Sequence, residues 1–452
     1  MLWFDKKEKQ KKSIELEKRF RWKYENLRNL LRLNNSLMET MSDIQSYAGD
    51  KIPEDAFTHH QISNLIDGTE LMIENLNRLS DGEFYRLFKV LKDIEGKIQN
   101  ALYSTRIAKN PPYLLPLNLA GRGLINTVGG KAAPLGELKN IIAISKNVPD
   151  GFVVTTTAYH KLLNENNLIG QLRALYSRID VNNLKEAESI CQRAKQFVEN
   201  SIISETITIE IERYVNQIDP DDKINWAVRS SAVGEDGETS FAGQFESVLN
   251  VPRKKLAGAY LKVVASRFNT TAVLFRLIKN IKEAESPMAV LFIPMIKAEK
   301  SGVIYTKPPV SPDESYLVIS AVRGLAVDLV SGKTKADTFY VNRHRLEISR
   351  QIIEDKQEMA VMSDADAIER KQVPYSERRS PSITPEQVIK LTEIALKIES
   401  HFGSPQDIEW AIDESGSCKI IQARTLHIDN SVDQKTTLNT ERKLLVEGGA
   451  TI

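Results

Sequence analysis

Two short runs near the C-terminal end carry the chain's densest chemistry: Asp407-Ile408-Glu409-Trp410-Ala411 and, after a polar break, Ile420-Ile421-Gln422-Ala423-Arg424. Read with a period of two, they form a hairpin. Asp407, Glu409 and Ala411 share one face of the first strand, while Ile408, Trp410 and Ile412 share the other. Gln422 and Arg424 stand together on the second strand, opposite Ile421 and Ala423. Asp413-Glu414-Ser415-Gly416-Ser417 supplies the turn chemistry between them. Two carboxylates and an amide oxygen suit a hard cation such as Mg²⁺, and a guanidinium beside them suits a phosphate. The same residues would equally make a structural ion-pair network on a solvated sheet face.

Two further clusters lie upstream. In Thr127-Val128-Gly129-Gly130-Lys131-Ala132-Ala133-Pro134-Leu135-Gly136-Glu137-Leu138, a pair of glycines precedes a short helix. Backbone N–H groups can approach an anion there, and Lys131 adds a mobile positive charge. The spacing is not that of a P-loop, and a turn with a surface lysine would look the same. In Trp226-Ala227-Val228-Arg229-Ser230-Ser231, Arg229 ends an apolar strand and shares its face with Ala227. A guanidinium so placed must be paired or must hold an anion. Glu235 or Asp236 could pair it, and the following Ser240-Phe241-Ala242-Gly243-Gln244-Phe245-Glu246-Ser247 loop offers donors that could fold over phosphates.

The elements that position these residues belong to a chain of 452 residues, 41% hydrophobic and 27% charged with a net charge of +1. That length requires two or three domains. Near-neutrality makes no global case for nucleic acid or an acidic membrane, and no apolar run is long enough to span a bilayer. Cys191 and Cys418 cannot build a disulfide framework, and no His/Cys spacing suggests zinc. A cytoplasmic protein is expected.

Residues 1–108 read as an all-α module, a bundle or partner-binding element. Phe20, Tyr24, Leu27, Leu31, Met38 and Met41 form one stripe, interrupted at Asn34; Ile62, Leu65, Met72, Leu76 and Leu79 form a second. A third helix opens with Ser80-Asp81-Gly82-Glu83 as a capping box and runs through Phe84, Leu87, Leu91, Ile94, Ile98 and Leu102. The first 32 residues hold 11 Lys/Arg against 5 Asp/Glu, read here as a solvated face. Pro111, Pro112 and Pro116 mark a linker over 109–118.

Beyond it the chain is α+β. Strands are expected at 152–157, 226–230, 247–251, 288–296, 302–306, 316–322 and 338–341, with one long helix from 254 to 280. Another helix starts at Thr384-Pro385-Glu386-Gln387, where Thr384 and Gln387 make a capping box, Ile383 and Val388 a staple, and Gly403 the stop.

Taken in order, Val128-Gly129-Gly130-Lys131 with Leu135-Gly136-Glu137, Val148-Pro149 with Gly151-Phe152, Val228-Arg229-Ser230-Ser231, Ser240-Phe241-Ala242-Gly243-Gln244, Asp407-Ile408-Glu409-Trp410-Ala411 and Gln422-Ala423-Arg424 resemble the ATP-binding domain of the phosphoenolpyruvate synthase and pyruvate phosphate dikinase family. The likeness covers residues 119–428 and extends to rifampicin phosphotransferase and the glucan water dikinases. It implies an ATP-grasp fold of two α+β subdomains with ATP and Mg²⁺ between them. By that resemblance Lys131 and Arg229 contact the ATP phosphates, and Gly243 and Ser247 belong to the loop covering them. Glu409 and Gln422 hold Mg²⁺ with Asp407 in or near the shell, and Arg424 faces the transferring phosphate. Phosphate then passes to a histidine on a separate swivelling domain, in cis or in trans, and on to pyruvate, an antibiotic or a glucan.

Three departures stand out. Gly324-Leu325-Ala326-Val327 replaces a Gly-Leu-Gly-Glu run, which opens the alternative of a degenerate nucleotide sensor or scaffold. Ile293 replaces a glutamine near the adenine. None of His59, His60, His160, His344, His401 or His427 has a Ser/Thr-His-Ala setting. Residues 429–452 are expected to lead toward the absent phosphohistidine domain, making the sequence a segment of a longer chain or one piece of a split enzyme.

Overall fold

In the computed structural model the described residues are 2–47, 55–80, 82–109, 111–234, 244–279, 281, 286–309, 315–363 and 366–426. Two compact units divide the chain, residues 1–103 and 104–452.

Helices α1 (Leu2–Tyr47), α2 (Asp55–Leu79) and α3 (Arg86–Lys109) open the chain. α1 and α2 pack against one another. Asn26 is buried, Leu37 sits against Gly68, and Lys23 Nζ donates to Leu79 O at 2.9 Å. The stripe Phe20, Tyr24, Leu27, Leu31, Met38 and Met41 is the exposed side of α1, 45–78% accessible. Asn26, Leu30, Leu33 and Leu37 follow the same spacing one face over, and these are the buried or half-buried positions. The expected capping box at Ser80 is also corrected. Ser80 Oγ turns back to Leu76 O at 2.9 Å, closing α2, and α3 starts only at Arg86. Asn77 fills the gap, its Oδ1 accepting from Phe84 N at 3.0 Å.

The second unit holds two antiparallel sheets and a ribbon. The first sheet comprises β1 (Leu114–Pro116), β2 (Phe152–Val154), β3 (Trp226–Ala232), β4 (Ser247–Val251) and β5 (Met288–Pro294), in the order β1-β2-β5-β3-β4. The second comprises β6 (Ala298–Tyr305), β7 (Tyr316–Arg323), β8 (Asp337–Asn342) and β9 (Glu347–Ile352). It is completed, after the ribbon β10 (Glu358–Met362) and β11 (Ile368–Gln372), by β12 (Gln406–Asp413) and β13 (Cys418–Thr425). Its order is β13-β12-β6-β7-β8-β9. The later part of the segment read as a linker is therefore strand β1, with Leu114, Leu115 and Leu117 buried.

Helix α4 (Ile125–Lys139) packs on β3, β5 and β13. Helices α5 (Thr156–Glu165), α6 (Leu168–Tyr176), α7 (Leu184–Glu199), α8 (Glu205–Ile218), α9 (Leu256–Ser266) and α10 (Thr270–Ile278) follow. The short α11 (Val327–Val330) and the 18-residue α12 (Pro385–Phe402) complete the set.

Strand alternation sorts the first sheet into two cores. Phe152, Val154, Trp226, Val228, Val290 and Phe292 pack with residues of α5 to α9. Val153, Ala227, Leu291 and Ile293 join α4, α12 and the second sheet's Ile304, Ile408, Trp410 and Ala423. The face of Ala227, which also carries Arg229, thus looks toward the second sheet.

The single helix expected from 254 to 280 is two. Asn269 takes an extended backbone at φ −58°, ψ 141° between them. Its side chain accepts from Lys195 Nζ at 3.3 Å and donates to Gln244 O at 3.3 Å, so local tertiary bonds displace helix continuation. The capping of α12 follows the expectation: Thr384 Oγ1 accepts from Gln387 N, Gln387 Oε1 from Thr384 N, and Gly403 closes it at φ 68°. No helix among the described residues is long and apolar enough to cross a membrane.

Candidate functional site

Arg229 is the junction. It projects from β3 on the Ala227 face and is 11% exposed. Its Nη2 donates to Glu409 Oε2 at 2.8 Å and to Gln422 Oε1 at 3.0 Å, and Nη1 donates to Ile421 O at 3.1 Å. Glu409 and Gln422 are direct cross-strand partners on β12 and β13, and Asp407 and Arg424 are another such pair, two positions along. Arg424 Nε and Nη2 both donate to Asp407 Oδ2, at 2.9 and 2.7 Å.

The hairpin departs from strict alternation at one point. A register shift after Glu409 makes Ile421 an extra residue between Ile420, opposite Trp410, and Gln422, opposite Glu409. This bulge changes which face the strand presents. Ile420 and Ala423 both enter the core, and the Ile421 carbonyl is left to accept from Arg229.

Gly129 breaks α4 with φ 79° and ψ 176°. A side chain there would place its Cβ 1.7 Å from Ser231 O, so only glycine admits this approach. Ser231 Oγ donates to Val128 O at 2.7 Å and accepts from Ala132 N at 3.0 Å. Lys131 Nζ donates to Ser230 Oγ at 3.0 Å. The Gly-Gly-Lys and Val-Arg-Ser-Ser runs are thereby one structure, and the backbone N–H of Ala132 is already committed to Ser231.

Ser247 begins β4 directly opposite Arg229 and is exposed. The preceding Glu246 is fixed by Lys195 Nζ at 2.6 Å. Gly243, Glu235 and Asp236 lie outside the described residues, as do 429–452 and His427. Tyr305, which the sequence reading passed over, pairs with Asp407 across β6 and β12. That adjacency joins strands about a hundred residues apart, so no local pattern announces it.

Charge shapes the ionisation of these groups. Burial opposes ionisation of Glu409, but Arg229, with Lys131 and Arg424 adding, outweighs it and holds the carboxyl below the usual carboxylate range. Burial lifts Asp407 above that range, against the pull of Arg424 and with Glu409 adding to the rise. Burial, then Asp407, push the Tyr305 phenol up to about 12, so it stays protonated at neutral pH.

The donor set fits Mg²⁺. Glu409 and Gln422 offer one carboxylate and one amide oxygen side by side, with Asp407 two pairs along the hairpin. No trio of His, Cys, Asp or Glu able to cage an ion occurs among the described residues. A cation held here would therefore need further oxygens from a ligand such as phosphate, the usual manner of Mg²⁺.

The departures have structural correlates. Ile293 is buried in the core opposite Ala227. Gly324 has φ 72° and lies against Ala360 O, and Leu325 N donates to Ala360 O at 2.8 Å. Just after Val327, Asp328 receives Arg370 Nε at 3.0 Å and Nη2 at 2.8 Å, which holds its carboxyl below the ordinary range. His401 Nε2 lies 2.8 Å from Glu137 Oε1, between α12 and α4.

This ordered site coincides with a family match. The profile described as pyruvate phosphate dikinase, AMP/ATP-binding domain, covers residues 125–444. The chain belongs to this family. It is 31% identical over 332 residues to the probable phosphoenolpyruvate synthase of Methanocaldococcus jannaschii, covering 72% of this chain and 28% of that protein. The rifampicin phosphotransferase of Bacillus subtilis is 31% identical over 305 residues, 67% of this chain and 34% of that protein. The phosphoenolpyruvate synthase of Escherichia coli is 29% identical over 357 residues, 75% of this chain and 45% of that protein. The AMP/ATP-binding domain chain thus spans less than half the length of each of these relatives.

Proposed function

We propose that residues 119–428 form an ATP-grasp region that binds Mg·ATP between the two sheets and starts phosphoryl transfer. One observation carries the reading: Arg229 of the first sheet meets Glu409 and Gln422 of the second, with Lys131 and Arg424 beside them. Phosphoryl transfer chiefly needs positioning and neutralisation of charge, and this junction is rich in both cations and oxygen donors.

In this reading Lys131 and Arg229 hold the ATP phosphates, and Gly243 and Ser247 cover them. Arg424 lies against the transferring group, fixed by Asp407. Glu409 and Gln422, with Asp407 adjacent, hold Mg²⁺, which when bound would neutralise phosphate charge. Arg229 would exchange part of its bond set with these oxygens for the incoming phosphate. Glu409, kept ionised by its cationic neighbours, remains a ligand throughout the neutral pH range.

The acceptor is a histidine on a separate swivelling domain, in cis or in trans, and pyruvate receives the phosphate last. A second reading changes only the final acceptor to an antibiotic or a glucan. It is favoured by rifampicin phosphotransferases matching at 31–32% identity, level with the archaeal synthases. Residues 1–108 would serve as a partner-binding module.

Isothermal titration with Mg·ATP tests the proposal. Binding by the wild type, with marked loss in Lys131→Ala and Arg229→Ala, is expected. No binding, or equal binding by the variants, refutes it.

A further inference from the structure

A lysine ammonium sits on a flexible four-carbon stem, so its value at a phosphate depends on what fixes its backbone. Here the fixing comes from β3. Ser231 is fully buried, and its hydroxyl uses both its capacities on one turn of α4. It donates to Val128 O at 2.7 Å and accepts from Ala132 N at 3.0 Å, bracketing Gly129, Gly130 and Lys131. The Ser231 carbonyl meanwhile occupies the space a side chain at position 129 would need. Its neighbour Ser230 receives the Lys131 ammonium at 3.0 Å, and Arg229 on the other side reaches Glu409.

We propose that Ser231 is the positioning residue of the phosphate end of this site: it clamps the turn from Val128 to Ala132 and so sets where Lys131 can reach. The inference rests on the nucleotide reading above. Ser231 itself touches no ligand in this account; it acts through Lys131. Removing its hydroxyl leaves the Val128 carbonyl and the Ala132 N–H without their shared partner, and the glycine-rich turn then loses the two bonds that bracket its unusual dihedrals. Lys131 would sample more positions and spend less time at the phosphates.

A double-mutant cycle separates this from a merely structural role. Mg·ATP is titrated into the wild type, Ser231→Ala, Lys131→Ala and the double variant, and adenosine affinity is measured by competition. Ser231→Ala is expected to weaken Mg·ATP about tenfold, the loss of one charge-assisted bond, while adenosine changes by less than about twofold. In the Lys131→Ala background the same substitution should cost nothing further, and Ser231→Cys, which keeps a weak donor and acceptor, should recover part of the loss. Parallel losses for Mg·ATP and adenosine, or full additivity with Lys131→Ala, would overturn the proposal. Should Ser231→Ala fail to fold, the Cys variant carries the same cycle. If Lys131→Ala binds Mg·ATP like the wild type, the nucleotide reading falls first and takes this inference with it.

Discussion

Arg229 answers to two demands at once, holding the sheets together and presenting positive charge. A lysine could keep the charge but not three bonds in a planar fork. Arg229→Lys is therefore expected to retain the fold and lose about tenfold or more in Mg·ATP affinity, read by calorimetry beside a thermal melt. Glu409→Gln removes the charge yet leaves an oxygen able to accept from Arg229, so the fold should be kept, with the neutral-pH melting temperature lowered only by the lost ionic stabilisation, while Mg²⁺-dependent nucleotide binding falls. Because the folded-state pKa of Glu409 is depressed, its ionic stabilisation is present above the unfolded value, about 4.3, and is lost as pH falls through the lower folded value. The wild type should thus lose more stability than Glu409→Gln on acidification from pH 6 to 3, as urea melts across that range would report; equal losses would count against the depressed pKa. That Asp407 and Glu409 share one face, with Gln422 and Arg424 together on the second strand, was legible from residue type and a period of two; their pairing across the hairpin was not. The bulge at Ile421 was not, because one extra residue in a strand leaves no mark in an apolar run. Tyr305 was hidden for a different reason: its neighbour across the sheet is remote in sequence.

At the scale of elements, what could be read depended on whether the signal was local. The capping box of α12 is written in four consecutive residues and is found as expected, and Thr384→Ala should lower stability by about 1 kcal/mol. The break between α9 and α10 depends on Lys195 and Gln244, which no window around Asn269 contains. Ser80 misled for the same reason, since its hydroxyl served the helix it ended instead of the helix that followed. The Gly129 turn lies between these cases. Two glycines announce a special backbone, but only β3 packed against it explains which glycine is indispensable. Gly129→Ala is expected to destabilise the second unit by about 3 kcal/mol or more, combining a left-handed dihedral with overlap on the Ser231 carbonyl. Gly130→Ala has no such positive dihedral to satisfy and should cost far less. Urea melts of the pair measure the difference, and similar losses would mean that the turn, not the β3 approach, sets the requirement.

Across the whole molecule, a helical first part and a mixed second part were visible as a change of period from 3.6 to 2. Which face of α1 is buried was not, because two stripes with the same spacing run along it and periodicity cannot choose between them. The strand order of both sheets was equally beyond reach, since β5 lies between β2 and β3, and β6 beside β12. That order matters for chemistry: it places the β3 guanidinium over the β12–β13 hairpin, from segments nearly two hundred residues apart. Residues 1–103 form one compact unit, so that fragment should give a helical circular dichroism spectrum by itself; a random-coil spectrum would contradict it. The remaining question is whether the junction transfers phosphate or only binds nucleotide. In the proposed reading Ala326 and Val327 would take away an acidic group, while Lys131, Arg229, Arg424, Glu409 and Gln422 would all keep their roles. Charge neutralisation by these groups is the larger requirement of phosphoryl transfer. A histidine-bearing domain of a phosphoenolpyruvate synthase, supplied in trans with Mg·ATP, should therefore become acid-labile phosphorylated as ATP and water are consumed and AMP and one inorganic phosphate are released. Arg424→Ala should suppress that labelling more than it weakens Mg·ATP binding. Binding without any labelling, by a donor domain shown to be active with its own partner, would make this site a sensor instead of a catalyst.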